Sequence, residues 1–217
     1  MNKTAVYTAI YGGKDVLIEN QYRIPNADYI LFTDNKEIKS KLWKIIHIPP
    51  EMECNVRNAR RFKILPHMWL SNYEYSIWVD GNIKILKDLN PLVDSGTRWM
   101  VFGHGRYCIY DEADACIQFK KDNPNVIRSH VKKYINSGYP KNNGLWSTGV
   151  LIRKHNNADI IKMNEMWWEE IKNGSRRDQI SAPYVAWKCG LTPDYIEGKT
   201  GDLIQKNGWI RICGHKR

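Results

Sequence analysis

Asp80 and Asn82 flank a single glycine, Gly81, directly after the apolar run Tyr75-Ser76-Ile77-Trp78-Val79. A strand end that breaks into a glycine turn can aim two side-chain oxygens at one point. Hard divalent cations such as Mg2+ or Mn2+ take oxygen ligands of that kind, with phosphate oxygens completing the shell. A cation so held neutralises charge developing on a leaving diphosphate. Asn82 is a weaker ligand than a second aspartate: its carbonyl can bind directly, through water, or contact a sugar instead. Taken alone, Asp-Gly-Asn is also a common turn signal. Upstream, Arg57, Arg60 and Arg61 fall at i, i+3 and i+4, so they can share one helix face. Guanidinium forks pair bidentately with phosphate; a solvated basic face is the other reading of the same spacing. Farther on, Asp178 opens a helical stretch, where a carboxylate is also favoured by the helix dipole.

The elements that must position these groups alternate between strand and helix patterns in the first half, the signature of an α/β sheet. Thr4 to Tyr11, Tyr29 to Phe32 and Trp43 to Ile48 read as strands, closed by Gly12-Gly13, Thr33-Asp34 and Pro49-Pro50. Asn55 to Leu70 reads as a helix capped by Asn55, with Pro66 kinking it or splitting off its last turn. Tyr75 to Val79 is then a buried strand emptying into the Asp80 loop, and ligands of open α/β sheets bind outside such strand ends. In the second half, Asn123-Pro124 starts a helix running to about Asn136. Trp146 to Gly149 reads as a loop entering the strand Val150-Ile152, and Asp159 to Ile171 and Asp178 to Lys188 read as helices. The apolar alternation of Trp209, Ile210 and Ile212 predicts that this last stretch is docked.

Composition narrows the setting. The 217 residues fit one domain, and 42% apolar content suffices for a core. No apolar run approaches the ~20 residues of a membrane span. The stretch MNKTAVYTAIYGG lacks the features of a secretory signal, so the cytosol is the expected compartment, with peripheral membrane contact left open. Cys54, Cys108, Cys116, Cys189 and Cys213 are odd in number and widely spaced, which fits free thiols and neither a disulfide framework nor a zinc site. The net charge of +10 implies an anionic partner: nucleic acid, a membrane surface or a nucleoside diphosphate.

In order along the chain stand a strand closed by Thr33-Asp34, the helix RNARRFKILPH, IWVDGNI, GHGRYCIYDEADACI, WSTGVLIRKHN and RRDQISAPYVAWK. Together these resemble the TOD/MUCI-type glycosyltransferase-like family, a group of GT-A-type nucleotide-sugar glycosyltransferases, over about residues 4 to 190. The resemblance implies a single domain, 1–217, with a Rossmann-like, mixed but mainly parallel sheet flanked by helices. It also implies transfer of a hexose or deoxyhexose. By the same resemblance, Asp80 is the first metal ligand, Asn82 stands where a second acidic ligand usually is, and His215 is a late third ligand with Lys216 near the diphosphate. Thr8, Ala9 and Tyr11 are placed against nucleobase and ribose, as is Asp34, for which an Asx-turn is the alternative. Arg60 or Lys63 is placed near the diphosphate and Gly81 in the turn beneath it. His104, together with Arg106 and Glu112, would border the donor sugar and acceptor, His104 being expected to be exposed between its two glycines. Trp146 would offer a stacking face beside Ser147, Thr148 and Gly149, or else lie in the core. Asp178 would sit beside the anomeric carbon. There it would act as general base if transfer inverts the centre, or as a stabilising carboxylate if transfer retains it.

The function expected is therefore transfer of a sugar from a nucleotide-sugar donor, a UDP-sugar by analogy, to a hydroxyl of a glycan or glycoconjugate, with Mn2+ or Mg2+ as cofactor. One alternative is a basic, aromatic-rich module for single-stranded nucleic acid, supported by charge and by nine Trp and twelve Tyr. The absence of any RRM, KH, OB or helix-turn-helix pattern weighs against it, so no nucleic-acid partner is expected. A nucleotidyltransferase is the other, but it usually needs two or more strong carboxylates where Asp80-Gly81-Asn82 supplies one.

Overall fold

Every residue of the first strand is buried, because the sheet it belongs to is covered on both faces. The computed structural model describes residues 3–196 and 208–215. The elements run β1 (Thr4–Ile10), β2 (Ala27–Thr33), β3 (Lys44–His47), α1 (Asn55–Ile64), β4 (Tyr75–Val79), β5 (Ile83–Ile85), α2 (Asn90–Asp94) and β6 (Trp99–Gly103). They continue with α3 (Ile109–Gln118), α4 (Pro124–Asn136), β7 (Trp146–Arg153), α5 (Ala158–Asn173), α6 (Asp178–Lys188), β8 (Asp194–Tyr195) and β9 (Ile210–Ile212). Seven strands form one sheet in the order β3-β2-β1-β4-β7-β6-β8, and β5 with β9 forms a separate ribbon.

The four strands β3, β2, β1 and β4 are parallel neighbours. Strand β7 pairs antiparallel with both β4 and β6, and β6 pairs parallel with β8. One strand is thus reversed in an otherwise parallel sheet, the mixed, mainly parallel α/β architecture expected. Alternation sends Tyr7, Ala9 and Trp78 into the core beneath the helices, with Phe62, Trp167 and Ile180. It sends Val6, Ile10, Ile77 and Val79 into the opposite core, with Ile83, Ile85 and Ile210 of the small ribbon.

Arg153, at the end of β7, is wholly buried and meets no carboxylate. Its guanidinium donates to Asn164 Oδ1 at 3.1 Å, to the Tyr7 hydroxyl at 2.7 Å and to the Lys63 carbonyl. That carbonyl lies in the last turn of α1, where carbonyls lack helical partners, so the arginine fastens the helix end to the sheet.

Pro66 does split the expected 55–70 helix. Helix α1 stops at Ile64, and Pro66–Met68 forms a separate 3-10 turn. Asn55 is not its cap: Cys54 holds that position without a side-chain hydrogen bond, and Asn55 is the first helical residue. Its amide lies instead against Gly12, where an added Cβ would meet Asn55 Nδ2 at 1.9 Å; Gly12 also has φ +61, so the position requires glycine. The stretch Trp146–Gly149, expected as a loop, is part of β7, because β6 pairs with Trp146 and Ser147 on one side. Strand β6 and helix α3 had no counterpart in the sequence reading. The docking expected of Trp209 to Ile212 is present as the antiparallel β5–β9 pairing.

Candidate functional site

A cleft of about 270 Å3 opens where β1 and β4 end, walled by α1, the start of β7 and the start of α6. Strand β4 delivers Asp80, whose backbone N–H donates to Gly149 O at 2.8 Å. On the side chain, Asp80 Oδ1 accepts from Trp78 Nε1 at 2.8 Å, Lys63 Nζ at 3.1 Å and Arg60 Nη1 at 3.4 Å. Helix α6 delivers Asp178, which is 1% exposed. Its Oδ2 accepts from Thr148 Oγ1 at 2.8 Å and faces Lys63 Nζ at 2.5 Å and Arg60 Nε at 3.2 Å. Lys63 and Arg60, one helix turn apart on α1, therefore bridge the two carboxylates.

The electrostatics follow from that crossing. Burial alone would raise the Asp178 carboxyl, yet Arg60, Lys63 and Arg177 together hold it far below the usual carboxylate range. Burial lowers the Lys63 ammonium, and repulsion from Arg60 adds to this, while Asp178 and Asp80 pull it back up. Lys14 on the rim is lowered by burial and by Arg60. Asp178 is thus kept charged beside a concentration of cations, and the cleft lining carries Lys14, Arg60, Lys121 and Arg177 against Asp15, Asp80 and Asp178.

The outer rim is built differently. Asn82 holds the C-terminal segment: its backbone carbonyl accepts from Cys213 N at 2.7 Å and its Nδ2 donates to Cys213 O at 3.1 Å. His215, with a side chain 58% exposed, pairs through Nδ1 with Asp15 Oδ1 at 2.6 Å. Gly81 lets this rim close, since a Cβ there would sit 3.2 Å from Ile10 Cγ1 and 3.3 Å from Asp15 Cβ.

No three His, Cys, Asp or Glu side chains converge as a ready metal site among the described residues. The mixed donor set nevertheless suits a divalent cation. Asp80 Oδ2, Asn82 Oδ1 and His215 Nε2 all belong to residues lining the cleft, and none of these atoms is taken by a hydrogen bond among the described residues. The Asp15–His215 pair has the form that metal-ligating histidines usually show, one ring nitrogen bound to a carboxylate and the other left as ligand. Because the set is sparse, affinity for a metal without nucleotide should be weak.

Of the residues singled out in the sequence, Ala9, Tyr11, Arg60, Asp80, Gly81, Asn82, Ser147, Thr148, Gly149, Asp178 and His215 line the cleft, and Lys63 lies buried just beneath. Thr8 lies outside the lining, 2% exposed in the strand interior. Asp34 binds the chain itself: both its oxygens accept from Gly12 N, at 3.2 and 3.1 Å. His104 is not exposed as expected, because Nδ1 accepts from Arg106 N at 3.0 Å and Glu112 lies 3.8 Å from Nε2. Trp146 offers no stacking face; it is 4% exposed and packs edge-on against Trp99. Lys216 lies outside the described residues. The sequence reading missed Lys14, Asp15, Lys121 and Arg177 in the lining. Arg177 carries a visible signal, its place beside Asp178, whereas nothing local marks Lys121.

A family model described as the TOD1/MUCI70, glycosyltransferase-like domain matches residues 4–196. Among solved structures, the galactosyltransferase LgtC in complex with donor and acceptor sugar analogues is similar, at 13% identity and a TM-score of 0.45. The likeness covers 83% of this chain and 70% of that one. No curated protein matches. No helix among the described residues is long and apolar enough to cross a membrane.

Proposed function

The chain belongs to the TOD1/MUCI70 glycosyltransferase-like family, and we propose that it moves a sugar from a nucleotide-sugar donor to a hydroxyl of a glycan or glycoconjugate. A UDP-sugar carrying a hexose or deoxyhexose is the donor we favour, and five free cysteines fit work in a reducing compartment such as the cytosol. The observation that carries this reading is the bridge of Lys63 and Arg60 between Asp80 and Asp178 at the strand-end cleft. In the reaction the bond between the anomeric carbon and the diphosphate oxygen breaks, and the diphosphate leaves with its electron pair. The acceptor oxygen bonds the anomeric carbon, and the hydroxyl proton passes to the departing diphosphate oxygen. Arg60, Lys14, Lys121 and Arg177, all in the cleft lining, face that growing negative charge. Fixed cations in a partly dry site stabilise such charge without reorganising during the reaction.

Asp178 enters this scheme as a fixed negative charge. Held far below the usual carboxylate range, it is a weak proton acceptor, which favours its stabilising an oxocarbenium-like centre over its serving as general base. Mn2+ or Mg2+, held by Asp80, Asn82 and His215, would supply Lewis-acid stabilisation of the leaving diphosphate. The cleft's carboxylates Asp15, Asp80 and Asp178 are poorly suited to a run of nucleic-acid phosphates.

Thermal-shift measurements with UDP-, GDP- and dTDP-sugars, with and without Mn2+, test the reading. One nucleotide class should raise the melting temperature, and more so with metal. No response to any nucleotide, alongside salt-sensitive oligonucleotide binding, would overturn it.

A further inference from the structure

We infer that the acceptor is acidic, and that its anionic group is bound between Lys84 and Arg211; this rests on the transferase reading above. A second groove, of about 380 Å3, runs from the cleft and shares Asp15, Gly81 and Asn82 with it. Its one side is the segment 15–20 and its other the β5–β9 ribbon. A molecule lying in it reaches the donor cleft at the Asp80 turn, where an acceptor hydroxyl is needed.

Lys84 and Arg211 are directly opposed in the antiparallel ribbon, and both line the groove. Opposed residues project to the same face. The flanking Ile83, Ile85 and Ile210 are buried on the other face, which fixes the ribbon's register and leaves the two cations outward. Like charges directly opposite each other are destabilising. Neither cation has a carboxylate partner among the described residues to offset this. Of the groove's two acids, Asp15 pairs with His215 at 2.6 Å, and Glu19 is exposed with its Oε2 accepting from the Lys41 N–H at 3.4 Å; neither is paired with Lys84 or Arg211. An anion between Lys84 and Arg211 removes the repulsion and gains two charge-assisted contacts. Val16, Leu17 and Ile18 line the same groove and offer an apolar surface to a sugar ring. Two chemical sources fit, a uronate carboxylate and a sugar phosphate.

The test is binding to the whole protein in the presence of UDP and Mn2+, measured by calorimetry with two matched pairs. Methyl glucuronide against methyl glucoside probes the carboxylate, and glucose 6-phosphate against glucose probes the phosphate. At least one anionic member should bind about tenfold more tightly than its neutral counterpart, and the preference should shrink at high salt. The double variant Lys84→Ser/Arg211→Ser should erase the preference while binding UDP within about twofold of the parent, since both residues lie outside the donor cleft lining. Equal binding within both pairs, or a preference that survives in the double variant, overturns the inference. If the protein binds no nucleotide at all, the transferase reading fails first and the inference falls with it.

Discussion

The inner end and the outer rim of the cleft contain similar chemistry held in opposite ways. At the inner end, Asp178 and Lys63 are buried, and each side chain meets at least two partners from other elements. At the rim, His215 is more than half exposed, and one bond to Asp15 sets its ring. Removing water around the inner charges makes their positions costly to change. The rim residues can be set by whatever binds. The contrast separates a buried, multiply bonded set of charges from an open edge held by single contacts.

The largest break in that contrast should come from Asp178→Asn. It leaves Lys63 and Arg60 buried with one carboxylate fewer, and a loss of about 3 kcal/mol in denaturant unfolding is expected, together with loss of turnover. The pH dependence sharpens the point. A carboxylate held below its ordinary value of 3.8 contributes stability that is full above that pH and is lost on acidification through the folded-state value. The stability gap between parent and Asp178→Asn should therefore close progressively as pH falls below about 4.

Asp80→Ala comes next, with turnover falling by about a hundredfold or more and melting changed far less than in Asp178→Asn, because Lys63 keeps Asp178. His215→Ala should leave stability as it is and raise the metal concentration for half-maximal activity by about tenfold or more. Asp15→Asn should move the same metal requirement in the same direction by a smaller factor, as it acts through His215. Full metal response in both variants would remove the rim from the metal site. Asn82→Ala should cost about 1 kcal/mol at most in denaturant unfolding, from loss of the Nδ2 bond to the Cys213 carbonyl, because the Cys213 N–H keeps its backbone partner at Asn82.

The same contrast explains what the sequence disclosed. The inner end is partly legible at local signals, since Asp80 follows a buried strand and Asp178 opens a helix. The basic face expected of Arg57, Arg60 and Arg61 delivers only Arg60 to the cleft, because Arg57 donates to the Ile171 and Gly174 carbonyls and Arg61 pairs with Glu51; Lys63 came from the family resemblance. The rim is not legible, since Asp15 and His215 are 200 residues apart and no local pattern announces their pairing. Strand β7 was half missed because Trp146-Ser147-Thr148-Gly149 has the composition of a loop, and only its neighbours β4 and β6 make it a strand. Asn55 has the residue type of a cap but is turned toward Gly12, a contact set by the first strand's exit. His104 and Trp146 were misplaced for one reason: their burial depends on β6 and α3, elements the local sequence did not reveal.

The long span between Asp15 and His215 also has a consequence for biosynthesis. A chain emerging from the ribosome presents its N-terminal part first. The inner charges can assemble once residue 178 has emerged, but the rim needs residue 215, and so distant a contact closes late. An incomplete chain would hold the inner charges without the Asp15–His215 pair, which forms only after β9 and the residues that follow it have been made.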